Sequence, residues 1–566
     1  MSQPARWRLY ADAVRRMRCS QVVGRTRRLV PPTVLALGLD SGGSPAFVPV
    51  ARGLGVEAAP QSEPTAPPEA DRVFRAFGMS RTFGSPDFWH SSADGLLFLF
   101  HLHGFTPLAA YAAGRRTPRG DRFWEEVVSS WLRAEGRPRM PSWHPFPTSQ
   151  RIVAWCAALS TVEGWPPVLR SAMVEALWAQ TRYLRRSVEH DIGGNHVLRN
   201  ASALVVAGAS FPSTGTLPTG LRLLERESRD QFLADGGHEE RSTSYHREVT
   251  HELEGVSTVL DGTRAGGSPG WLRATTGRAR GWQGAMAGPD GQLPLLNDAW
   301  EGTPVPRAVT EEGKLTASGY VVLRHAEDHL VFDVGPLSPP HLPPHAHADA
   351  LSFVLWADGR PLIVDPGSYT YSGAERDSFR STAAHNTVEV DGRSQCTFWG
   401  DFRLAYPPRV RAGPVRRHGG AVVASGWHDG YRRLESPVDH HRCVIWLPEE
   451  GVVVVDLLRG RGAHAVSSRL HVAPSAVRNG VTAVGPLNVE ALGTAPDVRL
   501  VAADYAPYLG TRVASSALED RRMVDAERPF GWSLLRASRR VVALDRHSVT
   551  LDGGARPALT VPLEWS

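Results

Sequence analysis

The sequence predicts an α+β protein built in two successive parts, a helical layer followed by a large antiparallel β-domain. Three observations carry this expectation. From about Phe77 to Gly302 apolar residues recur at helical spacing, with Gly and Pro at the breaks. After about Ser318 the pattern changes to short β-rich runs. Asp358-Gly359 lies between two of these runs as a hairpin signal, and Asp391-Gly392 marks another turn.

Taken in order, residues from about Trp7 to Arg28 read as a basic amphipathic helix, with Trp7, Tyr10, Val14 and Met17 on one face docked on the protein itself. Ser41 to Pro68, rich in Gly, Pro, Ala and Ser, reads as a linker or irregular arm. In the helical part Leu169, Met173, Leu177 and Leu184 line one face, and Val249, Leu253, Val256 and Leu260 line another. No short repeat marks a regular solenoid. The β-rich runs include Tyr320–Arg324, His329–Val334, Leu351–Trp356, Pro361–Val364 and Val452–Leu457.

With 566 residues, 42% of them hydrophobic, the chain can bury two or more cores. The net charge of +5 comes almost wholly from Arg, Lys314 being the only lysine. Such an excess suits an acidic glycan as well as nucleic acid, and no helix-turn-helix, zinc-finger or RNA-binding signature supports the latter. Cys19, Cys156, Cys396 and Cys443 have neither metal-site spacing nor disulfide-scaffold density. Met1 to Pro32 lacks an apolar core and cleavage site, and no run reads as transmembrane, so the expected compartment is cytoplasmic, with non-classical export as the alternative.

Two constellations can carry chemistry. The first is Pro344-His345-Ala346-His347-Ala348-Asp349, followed by Asp365-Pro366-Gly367 and His385-Asn386. His345 and His347 point to opposite sides if the chain is extended, one toward a cleft and one inward. His347, Asp365 and His385 are a ligand set suited to zinc, or else residues that satisfy one another inside a β-sandwich. The second constellation is Gly193-Gly194-Asn195-His196, which opens a helix, together with Asp235 to His246, which precedes another. Gly, Ser and Thr before helices place polar side chains at exposed helix starts, a plausible cleft floor. Taken singly, Asn195 also reads as a cap or turn residue and Tyr245 as core.

The strings NHVLRNASAL, DGGHEERSTSYH, PPHAHADALSFVLWADGRPLIVDPGSYTY and FRSTAAHNTVEVDG resemble the successive signature blocks of the heparinase II/III-like polysaccharide lyases. The resemblance implies an N-terminal incomplete α/α toroid joined to a C-terminal antiparallel β-sandwich, with the cleft between them. With it the chain divides into an N-terminal helix and arm (1–76), a toroid (77–312) and a sandwich (313–566). It implies β-elimination on a uronic-acid-containing polysaccharide such as a glycosaminoglycan or alginate. It assigns Asn195 to the substrate carboxylate, Tyr245 to proton transfer, and His345, with His196, to base or carboxylate-neutralising roles; Glu240 is a supporting polar residue. His347, Asp365 and His385 match positions that hold a structural zinc in some members, and no organic cofactor is implied. Ala346 departs from the glycine common in the family.

In such a reaction the C5 proton is removed next to a carboxylate whose charge must first be neutralised, by the Asn195 amide or a protonated imidazole. Tyr245, with an ordinary pKa near ~10, protonates the leaving O4 as a neutral phenol and must be activated to act as base. Two other readings stand beside this one. A glycoside hydrolase would use Glu239, Glu240 and Asp349 as paired carboxylates. A non-catalytic glycan-binding or assembly protein would keep the fold without turnover.

Overall fold

The computed structural model describes residues 6–27, 29–35, 37–38, 43–50, 54, 66–90, 95–263, 266–308, 312–537, 539–553 and 557–565. The N-terminal segment forms two helices, Arg6–Arg16 and Cys19–Arg27, rather than one. Of the expected docking face, Trp7 and Val14 are exposed, whereas Tyr10, half exposed, does dock, edge-on to Trp399 and against Arg403; Leu9 beside it is buried. Leu9 and Arg16 add to this contact, the Arg16 guanidinium donating to the Leu404 carbonyl at 2.6 Å. Most of the expected arm between Ser41 and Pro68 lies outside the described residues. Its segment 43–50 has no regular structure and rests on the helical layer, where Val48 donates to the Ser210 carbonyl at 2.8 Å.

A short hairpin, Val73–Ala76 with Met79–Thr82, stands where helix was expected to begin. Phe77 and Gly78 both have positive φ, which makes the tight turn that a helix cannot contain. The helices follow from Leu96–Gly104 to Gly270–Met286. Pro118, Pro145 and Pro167 each open one, at the position where the missing N–H costs nothing. Met173, Leu177, Leu184, Val249, Leu253, Val256 and Leu260 are buried in one continuous core, as their spacing predicts. This succession of helices is compatible with the incomplete α/α toroid that the resemblance implies.

The stretch Leu96–Ala113 has the length and apolarity of a membrane span, contrary to the expectation that no run reaches it. Two features set it within the helical layer. It is 67% buried, and Phe105 in the left-handed conformation splits it into Leu96–Gly104 and Thr106–Ala113.

The β-domain contains two nine-stranded antiparallel sheets. One includes Tyr320–His325, Asp328–Asp333, Phe353–Ala357, Arg360–Ile363, Ala463–Val472 and Thr511–Asp525; the other includes Ala421–His428, Val438–Leu447, Gly451–Gly460 and Phe530–Leu535. Their inner faces share one apolar core, which makes the pair a sandwich. Alternation along the first sheet explains its full burial. Val321 and Leu323 point into the sandwich, while Tyr320 and Val322 pack against Trp282 and Met286 of the last helix. Both faces of the sheet are therefore covered, and the helical layer is seated on the outer one. Asp358-Gly359 turns with positive φ at both residues, as the hairpin signal requires. The strand expected from Leu351 starts at Phe353, because Leu351 has φ of 62° and leaves the extended region.

Candidate active site

The site is built where the start of helix Thr243–Asp261 meets the loop carrying Asn297 to Trp300. Ser242 caps the helix by accepting from the Tyr245 amide at 3.1 Å. Its hydroxyl donates to the Asp298 carbonyl, Thr243 donates to the Pro294 carbonyl and Ser244 donates to the Trp300 carbonyl. The polar run expected at an exposed helix start is thus buried, since each hydroxyl is used to hold this loop. Tyr245 follows in the same turn and is 7% exposed. Its ring lies 4.0 Å from that of His345 and edge-on to Trp300, and its hydroxyl is 2.8 Å from that of Tyr371.

Asp298 organises the histidines. His345 donates from Nδ1 to one carboxylate oxygen at 2.9 Å, and His347 donates from Nε2 to the other at 3.0 Å. Arg376 grips the same carboxylate with both guanidinium nitrogens, and Ser368 donates to it at 3.0 Å. Burial raises the Asp298 pKa, but Arg376 and the histidine bonds outweigh it and hold the carboxyl well below its ordinary range. The two histidines do serve different surroundings, as the spacing suggested. His345 faces Tyr245 and Glu240, and His347 is fully enclosed facing His385. They are not independent, because the segment is a loop rather than a strand and both rings return to one carboxylate.

Asn195 is brought to this cluster by Glu240, which accepts from its backbone amide and its side-chain amide, each at 2.8 Å. A Cβ on Gly194 would lie 2.0 Å from Glu240 Oε1, so the double clamp requires glycine there. Burial raises the Glu240 pKa, yet His345, His238 and the Asn195 bonds leave it lowered, so it accepts as a carboxylate. Glu240 Oε2 lies 3.6 Å from His345 Nε2. His196 makes its contacts elsewhere: Nδ1 bonds Glu189 at 3.1 Å and the ring meets Phe146. Asn195, Glu240, His345 and Tyr245 therefore form one connected group, and His196 belongs to a neighbouring one with Glu189 and His144.

His347, Asp365 and His385 are all buried, with ligand atoms within 4.8 Å of one another. His385 Nδ1 donates to Asp365 at 2.7 Å. The remaining nitrogens, His347 Nδ1 and His385 Nε2, are buried without a hydrogen bond of acceptable geometry. Burial drives the His347 pKa down to about 4, so its ring is neutral at physiological pH. With Nε2–H committed to Asp298, its Nδ1 lone pair is available to a cation, the orientation that a carboxylate partner imposes on metal-binding histidines. The donor set thus fits a divalent metal. Nearby Asp349 is enclosed with both oxygens unbonded, and burial together with Asp333 pushes its pKa up to about 8.

Three residues of this site escaped the sequence reading: Asp298, Arg376 and Tyr371. Tyr371 ends the string DPGSYTY and went unassigned within it. Asp298 had one local signal, a polar Asn-Asp pair between Leu296 and Trp300 in an otherwise apolar stretch.

Family models described as heparinase II/III N-terminus and heparinase II/III-like, C-terminal match residues 102–315 and 308–555. The chain belongs to the heparinase II/III-like family. This heparinase II/III-like chain is 23% identical to a heparin-sulfate lyase of Bacteroides stercoris over 368 residues, covering 56% of this chain and 52% of the other. It is also 23% identical to a heparin-sulfate lyase of Pedobacter heparinus over 366 residues, with 56% and 52% covered. The chain spans about half the length of the curated relatives it matches. Its fold is that of a crystal structure of heparinase III, with TM-score 0.71, 16% identity and 96% and 95% of the two chains covered. The heparan sulfate lyase HepC of Pedobacter heparinus superposes with TM-score 0.58 at 16% identity, covering 96% of this chain and 93% of that one.

Proposed function

We propose that this chain is a polysaccharide lyase that cleaves a uronic-acid-containing acidic polysaccharide, of the glycosaminoglycan class, by β-elimination. The observation that carries this reading is the convergence of the Tyr245 and Tyr371 hydroxyls with His345 and the clamped Asn195 amide at one seam. The relatives are heparin-sulfate lyases, which directs the substrate class.

Each group has a task in that chemistry. One N–H of the Asn195 amide is held by Glu240, and the amide has a second to offer to a uronate carboxylate. Burial, followed by the nearby Glu248 and Asp298 charges, raises the Tyr245 pKa well above that of a free phenol. Tyr245 therefore rests as a neutral phenol, suited to protonate the departing O4. His345, donating from Nδ1 to Asp298, has its Nε2 3.6 Å from Glu240 Oε2, outside hydrogen-bond distance. Where the C5 proton and O4 lie on one face, Tyr245 would first have to lose its proton, then take the C5 proton as phenolate and pass it to O4; where they lie on opposite faces, His345 is the base and Tyr245 the acid. His196 bonds Glu189 rather than a member of this group, so no step of the elimination is assigned to it.

The divalent cation we assign to His347, Asp365 and His385 is zinc, from its two imidazoles and one carboxylate. It would lock the loop carrying His345 and takes no part in the reaction. Among the carboxylates a hydrolase would use, Glu240 is committed to Asn195, Glu239 faces Arg18 and His341, and Asp349 is enclosed in the β-domain. The deciding experiment is a panel of acidic polysaccharides screened for ultraviolet-absorbing unsaturated uronates. Saturated reducing ends alone would refute elimination, and tight binding without any product would support a binding protein.

A further inference from the structure

The helix Cys19–Arg27 is wedged where the helical layer meets the β-domain. The Gln21 amide donates to the Ile192 carbonyl at 3.0 Å on one side and to the His341 carbonyl at 3.1 Å on the other. Gly24 backs so closely on the turn before Asn195 that a Cβ there would lie 2.5 Å from the Asp191 amide nitrogen. Beside the helix is a cavity of about 480 Å³, to which the N-terminal segment contributes Arg18 and Arg27, the helical layer His190, Gly194 and Arg226, and the β-domain His341. Gly194 adjoins Asn195, and His341 is on the loop that leads to His345, so the cavity lies along the seam that holds the proposed reaction site.

Its charges are not used by the elimination chemistry. Arg226 pairs with Glu227 at 2.6 Å, and Glu227 also accepts from Gln231 at 2.9 Å. Arg18 stands 3.5 Å from Glu239. Arg27 has no ion-pair partner among the described residues, and His341 Nε2, buried without a hydrogen bond, lies 3.8 Å from Glu239 Oε1. Asp230, the other acid in the lining, lies 3.6 Å from Arg229. Arg226 is thus taken by Glu227, and Arg18 and His341 share Glu239, which leaves Arg27 as the arginine of the lining open to a ligand. A cavity of this size holds a sugar-sized ligand. Arginine is the side chain best matched to planar or tetrahedral oxyanions.

We propose that this cavity is a subsite binding an anionic substituent, sulfate or carboxylate, on a sugar unit beyond the one being cleaved. The proposal rests on the lyase reading for the identity of its ligand. The N-terminal segment would then contribute to substrate choice while remaining outside the reaction.

Two variants test it in the full-length chain. Arg27→Gln removes an exposed charge without disturbing a packed contact. Val23→Asp places a carboxylate on the same wall at a position that is 55% exposed. Binding is measured by calorimetry on a Tyr245→Phe background, with heparan sulfate oligosaccharides and with their chemically desulfated counterparts; KM is measured in the parent background. Arg27→Gln should weaken binding about three- to fivefold and Val23→Asp about tenfold, with smaller losses at high salt. A loss confined to the sulfated ligand identifies sulfate, and an equal loss for both identifies carboxylate. Unchanged Kd and KM in both variants, with the parent still cleaving, would overturn the subsite and leave the lyase reading intact. If the parent cleaves nothing but both variants still lose binding, elimination fails and the anion site stands.

Discussion

His345 and His347 donate to the two oxygens of one carboxylate, at 2.9 and 3.0 Å from Asp298. The histidine at the proposed reaction site and the histidine of the candidate metal site are therefore oriented by the same residue. Asp298→Asn should disturb both, lowering turnover and metal retention by about 10- to 100-fold. It also leaves Arg376 buried without its counter-charge, costing about 3–5 kcal/mol of stability. Parental turnover and melting temperature in this variant would remove Asp298 from its organising role.

Tyr245→Phe keeps the ring contacts with His345 and Trp300 and removes only the hydroxyl bonded to Tyr371. Turnover should fall about 10²–10⁴-fold. The cost in stability should stay near 1 kcal/mol, because a single hydrogen bond is lost. Tyr371→Phe should show the same pattern. Steady-state kinetics beside thermal melts separate the two effects, and near-normal turnover in either variant would take that hydroxyl out of the mechanism.

Removing metal should destabilise the protein without altering the chemistry of the tyrosine pair. Purified protein should carry a divalent metal in stoichiometric amount by elemental analysis, and chelation should lower the melting temperature. His385→Ala should abolish both the metal content and the chelator effect. Absence of metal, with no chelator shift, would mean that the three residues only satisfy one another.

Acid should unfold the helical layer through its buried histidines. Burial depresses His101 to about 4 and His103 and His246 to about 3, from an ordinary 6.5. His246 accepts from the His238 amide through Nδ1 and bonds the Ala279 carbonyl through Nε2, so its protonation removes an acceptor the fold uses. For a folded-state pKa below the unfolded one, the unfolded chain binds more protons in the interval between them. The stabilisation is complete above pH 6.5 and is lost as pH falls toward 3, at up to about 1.4 kcal/mol per pH unit for each ring. Urea unfolding between pH 7 and 4 measures the slope, and His246→Gln should reduce it. A flat profile would show that these rings titrate normally.

What the sequence determined by itself was local or periodic. The order of helices before strands, the buried stripes from Met173 to Leu184 and from Val249 to Leu260, and the Asp358-Gly359 hairpin follow from apolar spacing and turn chemistry acting over a few residues. The resemblance added Asn195, Tyr245 and His345, which the fold does bring together with Glu240. The break at Met17 and Arg18 and the outward face of Trp7 were not legible, because a short amphipathic helix does not encode which surface will receive it. The use of Ser242 to Ser244 as buried tethers was hidden for a similar reason: a hydroxyl's partner is chosen by whatever backbone arrives beside it. Tertiary structure alone decided that Asp298 meets His345 from 47 positions away, that Tyr371 meets Tyr245 from 126, and that His196 turns to Glu189. Such contacts depend on how the helical layer seats on the outer face of the sheet, and no periodicity within either part carries that information.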